Sequence, residues 1–354
     1  MINNSIPKVI CLGEALVDRL GPLGVDPKLT STDQCEDCFG GAPANVACCL
    51  ARLGTSSAFL GRLGCDEIGQ AFQSLFLTRA VDLSLLQTDF ERPSRVVLVK
   101  RDTNGERSFH GFAGDSGKGF ADQALELSQS SSTSLKSIFG KADWLQIGTI
   151  PLAAPLSAAS LQMALDIAIS QSVHIALDVN WRPTFWQEGA PSDSGPSADQ
   201  SYLVRSIVEK ADLLKLAAEE AQWFFNTKSP QEISTSLPKK PFVVVTDGSG
   251  PIAWFSGKQS GVMPSFKVDV LDSTGAGDAF LASLLHKVCL EPDLLKTSSN
   301  VEDRERITAA MYFANACGAL VCMGLGAIDS QPIENEVNDF LRVFESKITS
   351  SHCL

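Results

Sequence analysis

A run of small residues that ends in a carboxylate has the composition of an anion-binding site. This segment is DSTGAGD, Asp272–Asp278, and it lies between the strand-like FKVDVL and AFLASLLHKV, which is apolar on one helical face. Backbone N–H groups at a helix N-terminus, together with the helix dipole, stabilise negative charge. We therefore predict that Gly275, Ala276 and Gly277 form an anion cradle and that Asp278 lies in or next to the first turn.

Asp278 has two interpretations. A carboxylate in the first turn of a helix often serves only as a cap. Beside an anion cradle it also meets the needs of phosphoryl transfer to an alcohol, which requires a base for the hydroxyl proton and N–H donors for the transferring group. The sequence contains neither G-x-x-x-x-G-K-[ST] nor G-x-G-x-x-G, which argues against a Walker P-loop, a protein kinase and a common dinucleotide-binding fold.

The elements around this segment alternate between short apolar strands and helices. Helices are predicted at Ala44–Leu53, ended by Gly54, and at Ser157–Ile169. This alternation predicts a mostly parallel, doubly wound sheet whose ligands bind beyond the carboxyl ends of its strands. The predicted strands are Val9–Leu12, Ala58–Leu60, Trp144–Ile147, His174–Val179, Leu213–Leu216 and Phe242–Thr246.

Three further segments depart from this alternation. The sequence VVLVK, RDTNGE, RSFHGF predicts a β-hairpin around Asn104-Gly105. The polar segments Ser128–Ser134 and Glu188–Gln200 are rich in residues that break regular structure, which predicts surface loops.

Composition and charge limit the function classes. With 354 residues, 44% of them hydrophobic, the chain can form one large α/β domain with an appendage, or two or three small domains. Its net charge of −12 disfavours nucleic acids and anionic membrane surfaces as partners. It has no apolar run of about 18 residues. It also reaches Val9 without a cleavable apolar segment, so the cytoplasm is the predicted location.

The ten cysteines do not predict a metal site or a disulfide framework. Cys35 and Cys38 form one C-x-x-C pair, and a structural zinc site would need a second pair of ligands, which the four histidines do not supply as H-x3–5-H. Buried and surface free thiols are the predicted state of these residues.

Two motifs together resemble the paired signatures of the ribokinase-like (PfkB) carbohydrate kinases. They are FGGAPANVA, Phe39–Ala47, and Asp272–Asp278, and the similarity extends over nearly the whole chain. The resemblance implies a ribokinase-like, doubly wound, mostly parallel α/β core formed by residues 1–17, 39–92 and 112–354. It also implies a small, discontinuous β-sheet lid formed by residues 18–38 and 93–111. Five more segments follow the family order: GEALVD, GRLGCDEIG, DVNWRPTFW, TDGSG and FANACGAL.

Within the family, the form GGAPANVA, the D-x-N-x-R segment and the FANACGAL ending are most similar to fructokinases. The resemblance implies that Asp278 removes the proton from the primary hydroxyl of fructose and that the amides of Gly275–Asp278 form the anion hole for the γ-phosphoryl group of ATP. It further implies that Asp18, Gly41 and Asn45 hold sugar hydroxyls. The residues alone leave Asn45 as a cap of its own helix and Asp18 as a solvated strand end.

The resemblance also assigns the nucleotide and its ions. Thr246 and Gly248 are expected at ATP, Asn315 near the adenine, and Glu220 at Mg²⁺ through water, because Mg²⁺ keeps most of its waters. Oxygen ligands suit K⁺, a monovalent cation that many members bind. The positions that match this site are Asp272, Thr274, Gly324, Gly326 and Ser330.

The sequence departs from the family pattern at three places. Ala217 replaces the Asn or Ser of N-x-x-E, Pro251 replaces the last Gly of T-x-G-x-x-G, and Gly111–Gly119 lacks the Arg-Asn of many plant-type fructokinases. Arg182 and Lys118 are candidate cations for phosphate or the lid, although exposed surface charge is the favoured interpretation of Lys118.

Two alternatives remain open at this point, and the oligomeric state is a separate question. The chain could phosphorylate another sugar, a sugar acid or a nucleoside, or it could be a non-catalytic interaction protein on a kinase fold. Apolar lid faces at Phe109 and Phe112 could also pair two copies into a homodimer.

Overall fold

Short strands and helices alternate along the chain in a computed structural model that describes residues 6–103, 107–128, 132–187, 189–295 and 300–351. The strands are β1 Val9–Leu12, β2 Leu16–Leu20, β3 Glu36–Gly40, β4 Ser57–Leu60, β5 Arg62–Gly64, β6 Gln87–Asp89, β7 Arg95–Arg101, β8 Arg107–Ala113, β9 Trp144–Ile147, β10 His174–Asp178, β11 Leu213–Ala217, β12 Phe242–Thr246, β13 Ile252–Phe255 and β14 Ser260–Met263. The helices are α1 Ala42–Leu53, α2 Glu67–Thr78, α3 Ser132–Phe139, α4 Pro155–Ser170, α5 Pro183–Trp186, α6 Ala198–Val208, α7 Ala218–Phe225, α8 Pro230–Ser236, α9 Ala276–Leu290, α10 Val301–Cys322 and α11 Glu334–Ser351.

The central sheet has eight strands in the order β14-β13-β12-β11-β10-β9-β1-β4. The six strands from β12 to β4 run parallel, and β13 and β14 add an antiparallel edge. The predicted doubly wound, mostly parallel sheet is confirmed. All six predicted strands occur, because buried parallel strands are covered on both faces and therefore read as continuous apolar runs.

A hydrophobic core lies on each face of this sheet. Successive residues of β1 point to opposite faces, so Val9 and Cys11 pack with α1, α9 and α10, whereas Ile10 and Leu12 pack with α4 and α6. All four side chains of β1 are fully buried. Gly54 ends α1 in the left-handed conformation, at φ 97°, as the sequence predicts.

A second, four-stranded sheet has the order β3-β2-β7-β8 and contains both predicted strands of the hairpin. The chain leaves the central sheet after β1, forms β2 and β3 of the small sheet and then continues directly into α1. Residues of the small sheet and the start of α1 therefore meet at one end of β1. The predicted turn at Asn104-Gly105 lies outside the described residues. The assignment of residues 18–38 and 93–111 to a separate lid stays a prediction.

Three sequence interpretations of local structure are wrong. Phe266–Leu271 is not a strand, because alternation of apolar and polar residues does not itself supply a pairing partner. The predicted loop 128–134 contains the start of α3 at Ser132. The predicted loop 188–200 contains the start of α6, where Ser197 and Gln200 form a reciprocal capping box that the sequence already displays.

Candidate active site

A cleft of about 1080 Å³ opens at the carboxyl ends of the central strands. One part of its wall comes from the small sheet, including Asp18, Val97 and Phe109, and another part comes from the start of α9. Parallel strands present their carboxyl ends on one edge of a sheet, which is why residues distant in sequence converge here.

The residues predicted to form the anion cradle lie at the N-terminus of α9. Gly275 precedes the helix at φ 81°, and an added Cβ there would lie 2.6 Å from the Cβ of Ala327, so both the turn and the space require glycine. The first amides of a helix have no partner within the helix. Within the described residues, those of Gly277 and Asp278 donate to no protein acceptor, and both residues line the cleft.

Asp278 is partly buried and faces α1 rather than capping α9. Its carboxylate accepts a 2.7 Å hydrogen bond from Nδ2 of Asn45. Burial raises the pKa of Asp278 to about 6 and the charge of Asp178 adds to this, while Asn45 and Lys215 act in the opposite direction. A carboxylate with this pKa is ionised at neutral pH and is a stronger base than an exposed aspartate.

Asn45 is 3% exposed, and its side chain does not cap its own helix. Its Oδ1 atom is buried and accepts no hydrogen bond from the described residues, which leaves an acceptor for a ligand hydroxyl. Its peptide carbonyl accepts a 2.9 Å hydrogen bond from Nε2 of Gln331. Gln331 therefore connects the loop between α10 and α11 to α1.

The other predicted sugar residues lie on the same side of the cleft. Asp18 is in the middle of β2, between Cys38 and Val97 of the neighbouring strands, rather than at a solvated strand end. Gly41 has φ 100°, and an added Cβ would lie 2.6 Å from the carbonyl oxygen of Glu14, so close packing of the two turns requires glycine.

Glu14 is a cleft residue that sequence reasoning missed. It is 2% exposed, and its Oε1 accepts a 3.1 Å hydrogen bond from the amide of Ala42, while Oε2 has no partner among the described residues. Burial raises the pKa of Glu14 to about 8. The sequence could have indicated this role, because Glu14 in GEALVD closely follows an apolar strand. A charged residue at the carboxyl end of such a strand lies at the edge of the sheet where ligands bind.

An ion pair at the base of the cleft was also missed. Nζ of Lys215, on β11, lies 2.7 Å from Oδ2 of Asp178 at the end of β10, and both side chains are almost fully buried. Nearby, the Glu220 carboxylate accepts hydrogen bonds from the amides of Trp181, at 2.6 Å, and Ala217, at 2.7 Å. Burial and the charge of Asp178 raise the pKa of Glu220.

The three residues predicted to bind the nucleotide also line the cleft. Thr246 ends β12 and its hydroxyl donates to the carbonyl of Leu216 at 3.4 Å. Gly248 follows in a turn at φ 53°, and Asn315 of α10 donates from Nδ2 to the carbonyl of Pro264 at 3.0 Å. Glycine at 248 permits a left-handed turn that exposes backbone to the cleft.

The five residues predicted to hold a monovalent cation come together beside the cradle. Oδ1 of Asp272 accepts from the amide and hydroxyl of Thr274 at 3.0 and 2.6 Å, and Oδ2 accepts from the amide of Gly326 at 3.1 Å. The hydroxyl of Ser330 donates to the carbonyl of Gly326 at 2.6 Å, and Gly324 packs against Ser330. The loop therefore concentrates oxygen atoms next to α9.

The predicted cations have different surroundings. Arg182 is exposed at the cleft, whereas Lys118 pairs with Glu91 at 3.0 Å on the surface. Phe109 and Phe112 are half-buried rather than exposed. Phe112 packs against Phe185 of the same chain because the two rings and Arg95 form one cluster. The homodimer through these lid faces stays a prediction.

Within the described part of the chain, no group of three or more His, Cys, Asp or Glu side chains has the arrangement of a metal site. Cys38 lies in β3, and Cys35, a free thiol, just precedes it. None of the described helices has the length and apolar character needed to cross a membrane.

Sequence comparison identifies the family. Residues 7–334 match the sequence pattern described as pfkB family carbohydrate kinase. The chain belongs to this family. The match spans both sheets and the whole cleft, and it confirms the resemblance inferred from Phe39–Ala47 and Asp272–Asp278.

Named relatives of this PfkB carbohydrate kinase are fructokinases. It is 32% identical to "Probable fructokinase-6, chloroplastic" of Arabidopsis thaliana over 340 residues, covering 95% of this chain and 82% of the relative. A solved fructokinase with bound ATP from Xylella fastidiosa is 26% identical, with a TM-score of 0.78 over 96% of this chain and 99% of that one. A fructokinase from Vibrio cholerae O395, solved with fructose, ADP and calcium ion, is 30% identical, with a TM-score of 0.74 over 96% and 100% of the two chains. The ribokinase-like fold is thereby confirmed.

Proposed function

We propose that this PfkB carbohydrate kinase transfers the γ-phosphoryl group of ATP to the 6-hydroxyl of D-fructose. The observation that supports it most strongly is the pairing of Asp278 with Asn45 beside the open amides of α9. Asp278, Asn45 and Gly277 line one cleft, where they would serve as the base, as the amide that binds a hydroxyl and as part of the anion cradle. The assignment to fructose follows the relatives, two of which are solved as fructokinases and one of which holds fructose and ADP.

In the proposed reaction, Asp278 accepts the proton of the sugar hydroxyl, and the hydroxyl oxygen forms a bond to the γ-phosphorus. The bond between that phosphorus and the β–γ bridging oxygen breaks, and ADP leaves with the electron pair. The amides of Gly277 and Asp278 donate to phosphoryl oxygens as charge accumulates on them. Asp18, Gly41 and Asn45 hold the sugar so that its hydroxyl faces Asp278.

Residues are available for the ions that this chemistry uses. Mg²⁺ bound to ATP would neutralise phosphate charge, and Glu220 fits a contact through water because backbone amides already engage both of its oxygens. A monovalent cation such as K⁺ would find its oxygen ligands among Asp272, Thr274, Gly324, Gly326 and Ser330. Thr246, Gly248 and Asn315 would contact the nucleotide.

We further propose that the small sheet acts as a lid over the sugar. Asp18 and Phe109 belong to that sheet and line the cleft, so its approach to the core would exclude water, which is a competing acceptor of the phosphoryl group. The cytoplasmic location remains a prediction from the sequence.

The deciding experiment measures turnover of Asp278→Asn with fructose, ATP and Mg²⁺ by coupled detection of ADP. Asparagine keeps the shape but cannot accept the proton, so we expect sugar binding to persist and kcat to fall by about 10³-fold or more. Turnover like that of the wild type would refute the role of Asp278.

The acceptor is tested separately with the wild-type protein. Fructose, other hexoses, sugar acids and nucleosides are compared as substrates, each with and without K⁺. Highest kcat/KM for fructose supports the proposal, whereas preference for another compound reassigns the acceptor within the family. Absence of turnover with every acceptor would favour a non-catalytic role.

A further inference from the structure

Lys215 is a buried cation whose position is unusual for the interior of a sheet. Lys215 is 6% exposed and lies in the middle of a parallel strand, with a buried leucine on either side of it in sequence. Asp178, on the adjacent strand, is its ion-pair partner at 2.7 Å. Lysine is almost never fully buried without a partner, so the pair accounts for the charge but not for its location.

Lys215 lies next to the residues of the anion cradle at the start of α9. A methyl group built on Gly277 would lie 3.1 Å from Nζ of Lys215, so the ammonium lies directly against the second residue of α9. Lys215 and Gly277 also line the same cleft. The ammonium is therefore adjacent to the amides that face the cleft.

The hydrogen bonds of Lys215 are incomplete. An ammonium group has three N–H donors. Among the described residues, Asp178 Oδ2 is the acceptor of one of them, and burial limits access of water to the others. Two donors thus remain for a ligand in the cleft.

Lys215 stays protonated despite its burial. Desolvation by itself would lower the pKa of this lysine, but the charge and hydrogen bond of Asp178, with further contributions from Glu220 and Asp278, raise it above its ordinary value. Lys215 therefore carries its positive charge throughout the neutral range.

Stability does not require such a pair. Replacing a buried ion pair with apolar groups of similar volume is often neutral or stabilising, because desolvation offsets the attraction of the two charges. A charged lysine at the cradle has a clear use only when an anion binds there.

We propose that Lys215 is a phosphate-binding residue, which donates from Nζ to the transferring phosphoryl group, and that Asp178 is a positioning residue that holds this ammonium at the cradle. The proposal deepens the proposed function and rests on it. The ligand class is the triphosphate of a nucleotide, whose negative charge Lys215 neutralises.

The test compares Lys215→Met with the double variant Asp178→Asn/Lys215→Met. The single variant leaves Asp178 buried without its partner, whereas the double variant removes both charges. In thermal melting, the double variant should therefore recover the stability that the single variant loses. Lys258→Met is the matched control, because Lys258 is exposed at the turn between β13 and β14. We expect kcat to fall about 10²- to 10³-fold in both Lys215 variants, as for loss of one anion-hole donor, and to be unchanged in the control.

Calorimetric titration with ATP and with adenosine provides a readout that needs no turnover. We expect ATP affinity to fall about tenfold or more in both Lys215 variants, with adenosine affinity unchanged. A double variant that is stable and has wild-type kcat and ATP affinity would overturn the proposal, because the pair would then be only structural. Absence of sugar phosphorylation by the wild type would instead refute the proposed function, while the ATP-to-adenosine comparison would still test Lys215.

Discussion

The hydrogen bond from Asn45 to Asp278 predicts how activity depends on pH. Only the ionised carboxylate can accept the hydroxyl proton, so kcat/KM of the wild type should fall as pH decreases through about 6, the pKa to which burial raises Asp278. Asn45 lowers this pKa, because its Nδ2 donates to the charged form at 2.7 Å. In Asn45→Ala the loss of activity should therefore begin at higher pH.

The size of the displacement follows from the strength of the bond. A hydrogen bond to a charged group contributes about 1.5–3 kcal/mol, and one pKa unit corresponds to about 1.36 kcal/mol, which gives a displacement of roughly one to two units. Asp278 is partly rather than fully buried. Water can therefore replace some of the lost stabilisation, and we expect a value near one unit.

The assay measures kcat/KM for fructose between pH 5 and 8.5 in buffers of constant ionic strength. Asn45→Ala also removes a predicted sugar contact and should raise KM at every pH, but a uniform rise does not move the midpoint. Asn335→Ala, an exposed position on α11, controls for substitution of an asparagine. An unchanged midpoint in Asn45→Ala, with reduced activity, would refute the argument that Asn45 controls the basicity of Asp278.

Three other substitutions test separate features. Gly275→Ala should lower the free energy of unfolding by at least about 1–3 kcal/mol, from the left-handed backbone alone, as measured by chemical denaturation. It should also abolish turnover in a kinetic assay, because the new methyl group would lie 2.6 Å from the Cβ of Ala327. For Glu14, whose folded pKa is raised from 4.5 to about 8, wild-type stability should decline as pH rises between these values. Glu14→Gln should flatten that decline, and urea unfolding at pH 5 and 8.5 should reveal a difference of a few kcal/mol. Arg95→Met should cost about 3–5 kcal/mol, because Asp122 is left buried without its 2.9 Å partner, and adding Asp122→Asn should recover much of this loss in thermal melting.

The sequence predicted the central sheet well, for a physical reason that does not extend to every segment. Val9–Leu12 and Phe242–Thr246 are apolar on both faces, and only a strand covered on both sides buries such a short run. Phe266–Leu271 instead alternates apolar and polar residues, and whether a neighbouring strand pairs with such a segment depends on tertiary structure. The start of α6 could have been predicted from Ser197 and Gln200, since capping is a local property.

The candidate site likewise combines residues that a local sequence pattern reveals with residues that only the tertiary structure brings together. Gly275 and Asp278 were identified because a glycine turn and a carboxylate are adjacent in sequence, and the structure places both at the cleft. The partnership of Asn45 with Asp278 joins residues 233 positions apart, so local pattern could not reveal it. Lys215 was overlooked within an apolar strand, because a lysine there has a use only when the neighbouring strand brings Asp178 beside it.

The hydrogen bond between Gln331 and Asn45 has a consequence for synthesis of the chain. The two residues are 286 positions apart, and α1 is made early while its partner is made near the end. At about 5–20 residues per second, a ribosome needs some tens of seconds to cover that interval. A nascent chain can form the β1–α1 unit during this time. Helix α9, which carries Asp278, and the contact of Gln331 with the carbonyl of Asn45 form only after most of the protein has been made.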